Sequence, residues 1–405
     1  MKVKTFSIDF FYTCGAQVLI NGVQHLLVFP WINKYSGSDA TGRILACLSI
    51  IYIFSHTLGS SLNSIRLIED RKGNGSNGDY LLLLSFGSVF LFLVNVVSKH
   101  LGFDPQVNIL WFTLLSILYM IRAYGVVDFR IKLHFSAYFI YYLLLSIGYA
   151  AGILVYKQTH NWTHIFITGE LVGIVILFYR KFIFDLSKPS DKLAYISKAV
   201  FYLYLSTFMI QIIVSGDRLI LKYLIDDHVV TVYSSLSLAA KIMNMLLFPL
   251  GTLLLSYLTA KIIPMTKKWL FKVTACWLGF CFLALVGTII VAPIYVKLFY
   301  PNLYDEIHGL NVIVNIGLAL ALVGYLFRTY LIAASNATVV FWFETCFTIT
   351  HLIIAVCLTK RYGMVGYAWA VIISRTIRAI AGALATSIYI NKIEKSETSL
   401  QNVNV

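Results

Sequence analysis

The chain has 405 residues, is 59% hydrophobic and only 12% charged, and carries a formal net charge of +14. Ordinary globular domains hold roughly 25% charged residues, so a soluble enzymatic domain of useful size is excluded. The cationic surplus is scattered in short punctuation between apolar runs, which marks topology and attraction to anionic lipid, not a nucleic-acid surface.

The apolar runs come in chain order. Phe10 to Asn33, Ile44 to Ile65, Tyr80 to Ser98, Phe135 to Tyr156, Val273 to Val296 and Ile307 to Phe327 contain no Asp, Glu, Lys or Arg. A helix rises ~1.5 Å per residue and the hydrocarbon layer is ~30 Å thick, so ~20 such residues cross it. The runs are continuously apolar instead of alternating, which rules out a transmembrane barrel. The first run is too long for a cleaved signal peptide and lacks a small-residue cleavage pattern. Adding runs interrupted once by a charge (Glu170, Lys241, Glu344, Arg375) predicts an all-α polytopic membrane protein of about twelve transmembrane helices. They are expected at 9–31, 43–65, 80–98, 106–122, 133–156, 163–180, 198–224, 229–260, 270–295, 307–333, 338–359 and 364–390.

An even number of spans puts both termini on one side. With those termini cytoplasmic, the loops of that side hold 19 Lys and Arg against 9 opposite, with 4 of the 32 inside spans. Positive loops stay inside, so both ends are expected in the cytoplasm. The stretch 181–197, with Ser187, Lys188, Pro189 and Ser190, divides the chain near its middle. The expected organisation is an N-terminal lobe at 1–180 with helices 1–6, a cytoplasmic linker at 181–197, a C-terminal lobe at 198–390 with helices 7–12, and a cytoplasmic tail at 391–405.

Several features carry no chemistry. All six cysteines (Cys14, Cys47, Cys276, Cys281, Cys346, Cys357) lie in apolar spans without metal-site spacing, and read as small buried thiols. Asn161-Trp162-Thr163 matches a glycosylation acceptor only as a tripeptide. The stretch Lys72 to Gly78 reads as a flexible turn. No Gly-rich phosphate loop precedes a Lys and a Ser or Thr. No cofactor and no metal are expected.

Chemistry therefore falls to ionisable groups inside spans, which are costly there and face a wet cavity or a partner. Arg375 and Arg378, three residues apart, share one face of the last helix. Lys241 lies ~15 Å into its span. Asp217 and Arg218 are adjacent and point about 100° apart on their helix. Arg43, Arg66, Arg122 and Arg328 lie at span ends, where snorkelling to the interface is the default. His25, His56 and His351 read as hydrogen-bonded interior residues. The interior excess is cationic, and Arg matches phosphate oxygens with a permanently charged planar fork. This selects Arg375, Arg378, Lys241 and Arg66 as contacts to an anionic substrate, with Asp217 and Glu170 as candidates for coupling to an ion gradient. Plain structural readings stand beside these: Arg375 in an ion pair, Arg378 snorkelling, and Lys241 paired with Asp217 or Glu170.

Four segments carry a family resemblance. Ser215-Gly216-Asp217-Arg218-Leu219-Ile220-Leu221 is followed by Tyr233 and then Lys241. Ala292-Pro293-Ile294-Tyr295 leads into Lys297-Leu298-Phe299-Tyr300-Pro301-Asn302-Leu303-Tyr304. The last span opens Tyr362-Gly363-Met364-Val365-Gly366-Tyr367-Ala368, and Gly42 opens the second span that Gly59, Asn63 and Arg66 close. Their order resembles the Wzx-type O-antigen flippases of the multidrug/oligosaccharidyl-lipid/polysaccharide (MOP) exporter superfamily, with Pro301 where that family usually has Gly. The resemblance implies two six-helix lobes around a central cavity that opens alternately to each side, a MATE-like fold. It implies an undecaprenyl-diphosphate-linked oligosaccharide as cargo, a bacterial inner membrane location, and a role in lipopolysaccharide biosynthesis without catalysis. A polysaccharide polymerase and a chain-length regulator are the protein partners it suggests, with membrane lipids around them. Two rivals stand: an O-antigen polymerase, which would carry a sizeable outer loop, and a drug exporter of the same superfamily, which would be expected to use an acidic or apolar cavity.

Overall fold

A computed structural model describes residues 3–70, 76–104, 107–179, 187–259, 264–307, 309–335 and 337–403, with the side chains at 3–7, 10, 245–246, 248–250, 252–253, 256–257, 259, 337 and 395–403 outside that description. Arg71, Lys72, Arg180, Lys181, Lys261 and the first part of the expected linker, 181–186, also lie outside it. Among the described residues every regular element is helical. Among those residues eight helices are long and apolar enough to cross a membrane, and two of these, Phe11–Asp70 and Thr338–Glu394, are each broken once. The breaks fall at Gly37 (φ 83°, ψ 173°) and Gly363 (φ 61°, ψ −143°), backbone conformations that a Cβ disfavours. With Thr163–Tyr179 and Asp227–Thr259, this gives the twelve expected helices.

We label them α1 (3–36), α2 (38–70), α3 (Asn77–His100), α4 (Ile109–Gly125, extended by Val127–Ile131), α5 (Phe135–Thr159), α6 (Thr163–Tyr179), α7 (Leu193–Leu224), α8 (Asp227–Thr259), α9 (Lys267–Phe299), α10 (Asn311–Ala334), α11 (337–362) and α12 (364–403). Local chemistry sets several starts. Ser76 and Asp79 form a reciprocal capping box at α3, Asn108 caps α4 and Thr266 caps α9, satisfying amides that a helix leaves orphaned. In α3 the residues Leu84, Gly87, Leu91 and Asn95 are buried, while Phe86, Val89, Leu93 and Val97 are exposed. One face packs on protein and the other suits acyl chains, as a bilayer requires of a helix that is apolar all round.

The chain forms two compact units, 1–219 and 220–405. The first unit runs past the expected linker because that segment is docked on it. Ser76 Oγ donates to the Lys188 carbonyl (2.7 Å), and Ser190 donates from N and Oγ to the two Asp79 oxygens (2.7 and 2.6 Å). Ile196 and Val200 of α7 then join Leu62, Tyr80, Leu84, Met120 and Tyr124 in one apolar core. The second unit packs Leu254, Trp277, Cys281, Leu322, Leu326 and Tyr330 together, with Trp277 Nε1 donating to the Leu322 carbonyl at 2.9 Å.

Helix contacts inside the first unit are unusually close at several glycines. A Cβ on Gly59 would lie 2.3 Å from the Met120 carbonyl oxygen, and one on Gly152 would lie 2.4 Å from that of Ile165. Small residues let membrane helices approach in this way. Gly152→Ala is therefore expected to push α5 from α6 and cost about 1–3 kcal/mol. Gly279→Ala, with nothing within 4 Å of its Cβ, should be neutral or slightly stabilising. Thermal unfolding of the two variants in one detergent checks the contrast.

Candidate functional site

The first unit contains a buried polar chain assembled from α1, α2, α4, α5 and α6. Its starting point is an irregularity: α1 and α2 each contain a π-helical turn, at Val23–Val28 and Ile51–His56. A π turn takes up an extra residue and rotates the rest of its helix, and such turns are frequent at functional sites. Here they hold Gln24 and Tyr52, whose hydroxyl donates to Gln24 Oε1 at 3.2 Å. Gln24 Nε2 donates in turn to the Tyr119 hydroxyl at 3.4 Å. The Tyr149 hydroxyl lies 3.3 Å from that of Tyr119 and donates to Glu170 Oε1 at 2.5 Å.

Glu170 is wholly buried, and its other oxygen lies 3.3 Å from Arg122 Nε. The Arg122 guanidinium also stacks over the Tyr119 ring, 4.4 Å from its centroid. Arg122 therefore corrects the expectation of snorkelling. Only 5% of it is exposed, because a carboxylate on the facing α6 offers more than a distant interface does. Sequence reading placed Glu170 among the interior acids and missed its partner.

Arg66 forms a separate cluster. Its guanidinium donates to Asn77 Oδ1 and the Tyr124 hydroxyl, and lies 5.1 and 5.6 Å from the ring centroids of Tyr80 and Tyr124. Three residues earlier on the same helix face, Asn63 donates to the carbonyls of Ala123 and Tyr124 at 3.0 and 3.3 Å. The Gly59, Asn63 and Arg66 pattern thus fits α2 against α4. Asp217 is 5% exposed and accepts from the Arg218 amide at 2.9 Å.

In the second unit the charges converge differently. Arg378 Nη2 of α12 donates to both Glu344 oxygens of α11, at 2.6 and 2.9 Å. Arg328 Nε of α10 lies 3.1 Å from Glu344 Oε1. Two guanidiniums on one carboxylate leave the triad net positive. Arg378 also covers the Phe347 ring at 4.6 Å. The triad replaces the snorkelling expected of Arg328 and allowed for Arg378, again because a facing acid is available. Near it, His351 Nδ1 pairs with Ser374 Oγ at 2.8 Å, the hydrogen-bonded interior role expected of that histidine. Arg375 is half-buried on α12, one turn before Arg378, and Lys241 is half-buried in α8. Of the four predicted substrate contacts, Arg378 sits in the triad, Arg375 flanks it in sequence, and Arg66 stands in its own socket in the first unit. Among the described residues no group of His, Cys, Asp and Glu is arranged to hold a metal ion.

No family profile matches the chain, and no curated protein does. Solved structures match over nearly its whole length. An inward-facing multidrug resistance MATE family transporter of the MOP superfamily aligns with a TM-score of 0.71 at 13% identity, covering 96% of each chain. The lipid II flippase MurJ, in an inward closed conformation, aligns at 0.67 and 14% identity, over 96% of this chain and 87% of that one. The Vibrio cholerae MATE transporter VcmN, in its bent form, aligns at 0.63 and 15% identity, over 96% and 99%. At such identities the likeness is one of fold, and the expected MATE-like, all-α polytopic membrane architecture is borne out.

The triad makes a stability prediction. Glu344→Gln would leave two partly buried guanidiniums facing each other, at a cost of about 3–5 kcal/mol. Glu344→Gln combined with Arg378→Met should recover most of that loss. Unfolding temperatures of the single and double variants in detergent provide the check.

Proposed function

We propose that this protein is a flippase of an inner membrane, moving an undecaprenyl-diphosphate-linked oligosaccharide from the cytoplasmic to the outer leaflet by alternating access. The observation that carries this reading is the net-positive, partly buried triad Arg328–Glu344–Arg378 in the second unit, with Arg375 one turn before Arg378 on the same helix. Leaving a positive charge uncompensated in hydrocarbon costs several kcal/mol, so a site of this kind suits an anion. A diphosphate supplies several oxygens that accept from planar guanidiniums. The fold shared with a lipid II flippase supports the reading, as does the order of the Asp217-Arg218, Tyr233, Pro293 and Gly363 segments.

In this mechanism the sugars and diphosphate travel in a hydrated cationic passage while the polyprenyl tail stays in lipid. Arg375, Arg378 and Lys241 contact the headgroup, with Arg66 as a contact in the first unit. Asp217 and Glu170 link the transition to an ion gradient. Both termini face the cytoplasm, and no bond of the cargo is made or broken. A polysaccharide polymerase and a chain-length regulator act on what the protein delivers.

Drug export is the second reading, favoured by the MATE transporters that share the fold. A net-positive triad suits a cationic drug poorly, and susceptibility profiling of a deletion strain separates the two. Arg375→Ala and Lys241→Ala are each expected to slow flipping of labelled lipid-linked sugar in vesicles about tenfold or more, the value of one charged hydrogen bond. Normal leaflet transfer and normal surface polysaccharide in both variants would end the cationic-passage assignment.

A further inference from the structure

α7 carries a polar stripe that the charge clusters above leave unused. Gln211, Ser215, Arg218 and Lys222 are spaced by four, three and four residues, so they share one face of the helix. Gln211 Nε2 donates to Ser215 Oγ at 2.8 Å, which leaves the Ser215 hydroxyl proton for a further acceptor. At the end of the stripe Lys222 Nζ is held by Asp227. Arg218 stands between them, at the end of α7 away from the docked linker and ~9 Å before the last residue of the helix.

Other arginines inside spans are answered by the chain itself. Glu170 receives Arg122, Glu344 receives Arg328 and Arg378, Asn77 and Tyr124 receive Arg66, and Arg375 is partnered as well. Arg218 is the exception. It is 9% exposed, and its Nε is buried without a hydrogen-bond partner. No carboxylate of the described residues forms an ion pair with its guanidinium. Oδ1 of the neighbouring Asp217 takes the Arg218 amide at 2.9 Å, not the guanidinium.

Plain accounts of a buried arginine fail here. A side chain that snorkels keeps its head in water, whereas this one is nine-tenths covered. A side chain turned to acyl chains would be open, as Val214 and Tyr223 of the same helix are. Neutralisation is closed to it, because a guanidinium keeps its proton at any physiological pH. A charge held out of water without a partner destabilises the packing around it. The arrangement is therefore completed by an anion.

The donors set the class of that anion. A guanidinium offers five N–H groups in a planar fork, and Ser215 adds a hydroxyl one turn away on the same face. A carboxylate has two oxygens to meet them, whereas a phosphate or diphosphate has three or more. From this geometry we infer that the Arg218 face of α7 is an oxyanion site for a phosphate ester or diphosphate. It draws on none of the residues of the Arg328–Glu344–Arg378 triad. That its occupant is the diphosphate of transported cargo rests on the flippase reading; the oxyanion chemistry does not.

The test uses the full chain in phosphatidylcholine nanodiscs, titrated calorimetrically with farnesyl diphosphate and with inorganic diphosphate. At least one should bind saturably, and D-glucuronate, which offers only a carboxylate, should not displace it. Both sources support the site: tighter binding of farnesyl diphosphate marks a lipid-linked occupant, and equal binding marks a free anion. Arg218→Met should weaken binding about tenfold or more. It should also raise the unfolding temperature of the ligand-free protein, because an apolar chain of similar length replaces an unanswered charge. An arginine with a purely structural role would shift that temperature the other way. Ser215→Ala, which removes only a hydroxyl, should weaken binding by a smaller factor. No binding to the folded wild type, displacement by glucuronate, unchanged affinity in both variants, or a less stable or unfolded Arg218→Met overturns the site. Leaflet transfer, measured after moving the same preparations into vesicles, separates the two readings. Transfer with diphosphate binding unmoved in Arg218→Met sinks this site alone, whereas Arg218-dependent binding without transfer sinks the flippase reading and keeps the site.

Discussion

Charge at bilayer depth must be answered by charge, and this constraint orders both units. Taking an ion out of water costs several kcal/mol even after relaxation, so an interior carboxylate without a partner would destabilise the packing around the helix that carries it. Glu170 is answered by Arg122 and the Tyr149 hydroxyl, and Glu344 by Arg378 and Arg328. Each pairing fixes rotation as well as energy. Arg122 and Glu170 set α4 against α6, and Glu344 sets α11 against α10 and α12 at once. Close glycine contacts such as Gly59 on Met120 bring the first unit's backbones near enough for short side chains to meet.

The two units solve the same problem with different remainders. In the first, one acid and one base cancel, and hydroxyls of Tyr52, Tyr119 and Tyr149 extend the pair into a neutral polar chain. Such a chain polarises internally and rigidifies its surroundings when every member is satisfied. In the second, one positive charge is left over.

How far the sequence reveals this depends on the direction of the information. Depth along a helix is legible, because composition changes at each end: the span expected at 163–180 is found as Thr163–Tyr179, and the breaks at Gly37 and Gly363 separate the expected spans. Direction around a helix is not. Arg122 and Arg328 stand near span ends in sequence, and only the facing helices show that acids await them. The π turns at Val23–Val28 and Ile51–His56 hide the rest. Each rotates the remainder of its helix by about 100°, and no periodicity count exposes the added residue.

The expected linker shows why a boundary read from composition can mislead about mechanics. Polar residues Ser187, Lys188 and Ser190 suggest a free tether, yet they are bound to the first turn of α3. Asp79 is the reason. The carboxylate that closes the capping box with Ser76 also accepts twice from Ser190, and it is wholly buried. A buried carboxylate that loses such donors is left with its full desolvation penalty, so the docked linker, α3 and the start of α7 hold together as one body. On the flippase reading, the net-positive triad of the second unit needs an anion to reach its lowest energy. Cargo of that sign would then be favoured over cargo without a formal charge, before any sugar is recognised.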